Sequence, residues 1–148
     1  MKYDAPSKDL FIYNRKNFAE RMEPGTCAVF FSNDMIPTNA DGHYRFDQNS
    51  NMYYLSGIDQ EKSILVLFPD APREEWREML FMLQTNEEIQ IWEGWKYSIE
   101  ETRLASGVQT VKYLEDFERI LRAMISHVKG IYIDANEHER NALVTRSE

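Results

Sequence analysis

Apolar and polar positions fall along the chain in segments whose period changes, and those changes mark the predicted elements. In "SKDLFIYNRKNFAERM" the apolar residues Leu10, Phe11, Phe18 and Met22 form one helical stripe. Ser7 stands as N-cap and the pair Pro24-Gly25 as a stop, which predicts a helix over 8–22. "TCAVFFS" is a continuous apolar run suited to a strand buried on both faces, and the turn-forming "NDMIPTNADG" ends it. "NMYYLSG" and "SILVLFP" read as two short strands, and the intervening "IDQEK" favours an antiparallel pair. "EMLFMLQ" is a further strand.

After "EMLFMLQ" the signal turns helical. "TNEEIQIWEG" offers Thr85 or Asn86 as cap, and "SIEETRLASG" has Ser98 as cap, Glu101 at the third position and Gly107 as stop. "TVKYL" reads as a short strand. "EDFERILRAMISHVKG" puts Phe117, Ile120, Leu121, Met124, Ile125 and Val128 on one helical face, with Gly130 ending the helix and "GIYIDA" following as a buried strand. Strands and helices alternate with short connections, which predicts an α/β fold, a three-layer α/β/α domain with a mixed, mostly buried sheet. "NEHERNALVTRSE" starts another helical pattern that breaks off at Glu148, so a chain cut within a longer protein is expected.

Composition narrows the class. The 148 residues are 43% apolar and 28% charged, within the globular range, and long enough to bury about 68–70% of the unfolded surface in one domain. The net charge of −8, from 25 acidic and 17 basic side chains, disfavours partners with phosphate backbones, so neither nucleic acid nor an anionic membrane is expected. The single cysteine, Cys27, lies in an apolar strand and reads as a small buried hydrophobe, consistent with a reducing, cytoplasmic setting. No apolar stretch near the N-terminus has the pattern of an export signal.

Candidate chemistry is sparse. The three histidines, His43, His127 and His138, are scattered and none lies in a metal-binding pattern. "DANEHE" opens like a calcium loop, but Glu139 occupies the position of the loop glycine and Thr145 that of the bidentate glutamate. The glycines stand singly, so no phosphate cradle forms, and Cys27 has no base nearby in sequence. No catalytic residue, metal ligand or cofactor site is expected within these residues.

Two aromatic features remain: "HYRFDQNSNMYYLSGID", and "IWEGWKYSIEE" with Trp92 and Trp95 around a glycine. In the first, Tyr44, Phe46, Tyr53, Tyr54 and Leu55 read as core and sheet-edge residues, with Gln48, Asn49, Ser50 and Asn51 satisfying backbone groups ahead of a strand. The run "NADGHYRFDQNSNMYYLSGIDQEKSILVLFP", then "MLFML", then "IWEGWKYSIEETRLASGVQTV", resembles the N-terminal domain of Xaa-Pro aminopeptidases (aminopeptidase P), relatives of prolidase and creatinase, over about residues 8–135. Thr38 and Asp47 stand where that family usually has arginines, Ala40 replaces a serine, and Trp95 or Lys96 stands near the arginine that follows the W-x-G motif.

The resemblance implies a single N-terminal, non-catalytic domain over 1–148, followed in the parent protein by a C-terminal metallopeptidase domain carrying a divalent metal pair, manganese being expected. It implies proline-containing peptide substrates for the parent, a homo-oligomer, and contact with the parent's own catalytic domain. It places Trp92, and more weakly Asp41, on the rim of the substrate path. Two alternatives share the fold: a non-catalytic protein-binding or dimerisation module, and the N-terminal domain of a prolidase or creatinase.

Overall fold

The computed structural model describes residues 7–32, 50–84 and 96–133. Helix α1 (Lys8–Arg21) begins at Ser7, whose hydroxyl accepts the Asp9 N–H, and ends just before Pro24. Strand β1 (Thr26–Phe31), helix α2 (Ser50–Ser56) and strand β2 (Ile64–Leu67) come next. After a single turn of 3-10 helix at Glu74–Trp76 comes strand β3 (Glu78–Met82). Helix α3 (Ile99–Ser106), strand β4 (Thr110–Tyr113), helix α4 (Phe117–Ile125) and strand β5 (Gly130–Ile133) complete the described chain.

The sheet order is β4-β3-β2-β1-β5. β2 runs antiparallel to both β1 and β3, while β4 is parallel to β3 and β5 parallel to β1. Four strands therefore point one way and β2 alone points back. Alternation along the strands divides the core. Ala28, Phe30, Leu65, Leu67, Leu80, Met82 and Val111 face α1, α2 and α3, where Met52, Leu55, Ile58 and Val108 complete a buried cluster. Cys27, Val29, Val66, Phe68, Met79 and Phe81 face the other side, beneath Trp76 and the α4 residues Ile120 and Met124. The fold is thus the expected three-layer α/β domain with a mixed sheet.

Four local expectations are corrected. "NMYYLSG" is helix α2, not a strand: Met52, Leu55 and Ser56 are buried at helical spacing, so Tyr53 and Tyr54 point outward rather than into the core or a sheet edge. β2 consequently finds its antiparallel partners in β1 and β3. Leu10 is 48% exposed, and the inward face of α1 carries Asn14 and Arg15 beside Phe11. α4 stops at Ile125, which is 51% exposed, and Gly130 begins β5 instead of ending a helix. β5 itself, expected to be buried, is an edge strand with Ile131, Tyr132 and Ile133 between 36% and 45% exposed. The helix expected in "TNEEIQIWEG", the tail helix beyond Asp134, and Tyr44, Phe46 and Asp47 lie outside the described residues.

Candidate functional site

The direction of the strands defines two ends of the sheet. β1, β3, β4 and β5 all reach their C-terminal residues at one end, and β2 starts there. In open α/β sheets ligands bind outside the C-terminal ends of the parallel strands. Asp41 follows β1 in the chain and Trp92 follows β3, so the segments bearing both rim candidates depart from this same end. Asp41 and Trp92 themselves lie outside the described residues.

Polar side chains hold the described part of this end together. The Ser32 N–H donates to Ser63 O at 2.9 Å, and the Ser63 N–H donates to Ser32 Oγ at 2.8 Å. Ser63 Oγ in turn donates to Gln60 O at 2.8 Å. The connection from α2 reaches this point through two residues of positive φ, Gly57 at 72° and Lys62 at 54°. Gln60 and Glu61, between those two residues, meet the chain at Tyr97 and Lys96.

That incoming chain is fixed at three consecutive residues. Lys96, which is buried, pairs with Glu61, whose side chain is also largely buried. The Tyr97 N–H donates to Gln60 Oε1 at 2.7 Å. Ser98 forms the N-terminal capping box of α3: the Glu101 N–H donates to Ser98 Oγ and the Ser98 N–H to Glu101 Oε1. The Tyr97 hydroxyl is pushed above its ordinary pKa by burial first, and then by Asp59, Tyr53 and Glu101. The described chain thus resumes at an anchored residue, four residues after Trp92.

The opposite end is built differently. Arg15 is wholly buried, and its Nε–H donates to Glu78 Oε2 at 3.1 Å while Nη1 donates to Leu55 O and Ser106 O at 2.9 and 2.8 Å. A buried guanidinium thus closes the carbonyl ends of α2 and α3 against α1. Beside it an open cleft is lined by Glu74, Glu75, Arg77, Glu78, Gln109 and Thr110. The cleft lies at the N-terminal end of β3 and β4, opposite the end where β1 and β3 terminate.

Reactive groups are few. Burial raises the Cys27 thiol to about 11, so it is an inert core residue, as its strand context implied. His127 is exposed and lies against the Trp76 ring. Among the described residues no group of three or more His, Cys, Asp or Glu side chains could hold a metal ion. No helix among them is long and apolar enough to cross a membrane.

The family model described as the N-terminal domain of aminopeptidase P matches residues 11–132. The chain belongs to this family. It is 22% identical over 141 residues to the Xaa-Pro aminopeptidase of Escherichia coli (strain K12), a match covering 95% of this chain and 32% of that protein. It is 27% identical over 108 residues to human Xaa-Pro aminopeptidase 3, covering 72% of this chain and 21% of that protein. The chain thus spans a third or less of the length of these curated relatives.

Solved structures agree on the fold. Aminopeptidase P from E. coli with the inhibitor Pro-Leu superposes with a TM-score of 0.81 at 21% identity, over 97% of this chain and 33% of that one. The aminopeptidase PepP of Pseudomonas aeruginosa gives 0.82 at 21% identity, over 91% and 30%. Two structural features of this chain carried no sequence signal. Arg15 patterns as an ordinary polar helix position, and the Glu61–Lys96 pair joins residues far apart in sequence with no shared motif.

Proposed function

We propose that this chain is the non-catalytic N-terminal domain of a longer, metal-dependent Xaa-Pro aminopeptidase, cytoplasmic and oligomeric, in which it supplies part of the wall along which peptides reach the active site. In this reading the divalent metal pair, manganese by expectation, and the hydrolysis belong to a C-terminal domain. What this chain contributes is shape. A narrowed approach admits a free N-terminal residue followed by proline and turns away bulkier chains.

One observation carries the reading: the segments that hold Trp92 and Asp41 leave the sheet from the same end. The clamp at Lys96 and Tyr97 supports it, because a rim residue must be held from a fixed point to select by size. The curated relatives named as Xaa-Pro aminopeptidases favour this activity over prolidase or creatinase for the parent.

The test is kinetic. In the longer protein, Trp92→Ala is expected to change KM or kcat on Xaa-Pro tri- and tetrapeptides by about tenfold, the loss of one aromatic contact. Unchanged kinetics together with an unchanged oligomeric state would remove Trp92 from the wall.

A further inference from the structure

A relay of polar contacts joins Ser32, just after β1, to Lys96, shortly before α3. Ser32 and Ser63 exchange two hydrogen bonds, Ser63 Oγ donates to Gln60 O, and Gln60 Oε1 accepts the Tyr97 N–H. Glu61 pairs with Lys96, and their side chains are only 12% and 11% exposed. By contrast, among the described residues neither Leu83 nor Gln84, which precede segment 85–95, is held by a side-chain hydrogen bond or ion pair.

The capping box at Ser98 is enough to start α3, so the ion pair adds something else. A buried ion pair contributes little net stability over apolar side chains of the same size, because desolvation offsets the attraction, and its best-attested use is to fix register. A slip of one residue here would set Trp95 or Tyr97 against Glu61 and bury an uncompensated carboxylate. The pair therefore specifies which residue of the chain stands at this point.

We propose that the Glu61–Lys96 pair positions the chain for peptide-length selection in the parent protein: by fixing residue 96, four residues after Trp92, it sets the width of the path to the active site. The inference deepens the reading of this chain as a wall of that path and rests on it. Neither side chain needs to touch peptide or metal, because both act through the chain they hold. A site built to discriminate must be held to within about 0.5 Å. Misplacement by about 1 Å costs up to about a hundredfold in rate.

The longer protein from the same gene tests this, with an Xaa-Pro tripeptide and an Xaa-Pro hexapeptide as substrates and each variant assayed well below its melting temperature. The readout is the ratio of kcat/KM for the tripeptide to kcat/KM for the hexapeptide. Lys96→Met and Glu61→Gln are each expected to lower this ratio about tenfold, through KM for the hexapeptide, with kcat on the tripeptide changed by less than about twofold. The double variant is expected to lower it no further than either change alone. Lys96→Arg keeps the charge and is expected to hold the ratio within about twofold of the unsubstituted protein. Glu61→Gln keeps the size of the side chain and decides the question if Lys96→Met does not fold.

A lowered melting temperature with an unchanged ratio overturns the proposal and leaves the pair a purely structural one. Independent effects that multiply in the double variant overturn it as well. Trp92→Ala separates the two readings. If it lowers the ratio while the pair variants do not, this inference falls alone; if the pair variants lower the ratio while Trp92→Ala does not, Trp92 leaves the wall and the pair keeps its role. Absence of hydrolysis by the longer protein removes both.

Discussion

Arg15 shows at the scale of one residue how the domain spends a charge in its core. Its Nε–H and Nη1–H groups meet one carboxylate and two helix-end carbonyls, while Nη2 has no hydrogen-bond partner among the described residues. Arg15→Met would leave the carbonyls of Leu55 and Ser106 unpaired in a buried place, and about 3 kcal/mol of stability is expected to go, read by urea denaturation. Glu78→Gln keeps an acceptor but leaves the guanidinium uncompensated. Because Glu78 is 40% exposed and water can respond, a smaller loss of about 1–2 kcal/mol is expected. The opposite order would mean that the ion pair, not the carbonyl clamp, is what Arg15 provides.

Cys27 gives a pH test. Its folded pKa, about 11, lies above the ordinary 9.0, so the neutral thiol is favoured in the fold. The associated stability is complete below pH 9 and is lost as pH rises toward 11, about 2–3 kcal/mol in all. Cys27→Ala is expected to remove that part of the alkaline loss in denaturation curves taken from pH 8 to 11. The inertness of Cys27 was legible from its strand, because an apolar run on both sides already implied burial. The role of Arg15 was not, because a charged residue on a helix is normally read as solvent-facing and only the third dimension brings Leu55, Glu78 and Ser106 to it.

At the scale of elements, α2 and α3 end alike. In each, a serine hydroxyl donates back to the carbonyl four residues earlier and accepts the N–H two residues on. A glycine of positive φ follows in each, Gly57 or Gly107. A methyl group at Gly57 would stand 2.4 Å from the Phe11 ring, and one at Gly107 2.6 Å from Ile12. Gly57→Ala is therefore expected to cost about 2 kcal/mol or more in denaturation, adding left-handed strain to overpacking against α1. The end of α3 was readable from "SIEETRLASG", since a capping box and a stop glycine bracket it. The same "SG" ending in "YYLSG" was outweighed by tyrosines that favour strands, and their preference was overridden by the burial of Met52 and Leu55 on one helical face.

The Glu61–Lys96 pair belongs to this scale because it ties the α2–β2 connection to the start of α3. Lys96→Met leaves a largely buried carboxylate without its cation, and about 2–4 kcal/mol is expected to be lost. The double variant with Glu61→Gln is expected to recover part of that loss, which a double-mutant cycle measures. Additive losses would show that the two side chains do not act together.

At the scale of the whole molecule, the alternation of periods was enough to give the layers and the mixed sheet. It could not give strand order, which depends on pairings between distant residues, nor show that β5 lies at an edge. The resemblance supplied Trp92 and Asp41, and β1 and β3, the strands that precede them in the chain, both terminate at one end of the sheet. The central claim is that this domain shapes an active site whose chemistry lies in another. The most direct measurement compares hydrolysis of an Xaa-Pro tripeptide, with added manganese, by the longer protein and by the 148-residue chain. The account predicts release of the N-terminal residue by the longer protein and none by the chain alone. Turnover by the chain alone, or none by the longer protein, would contradict it.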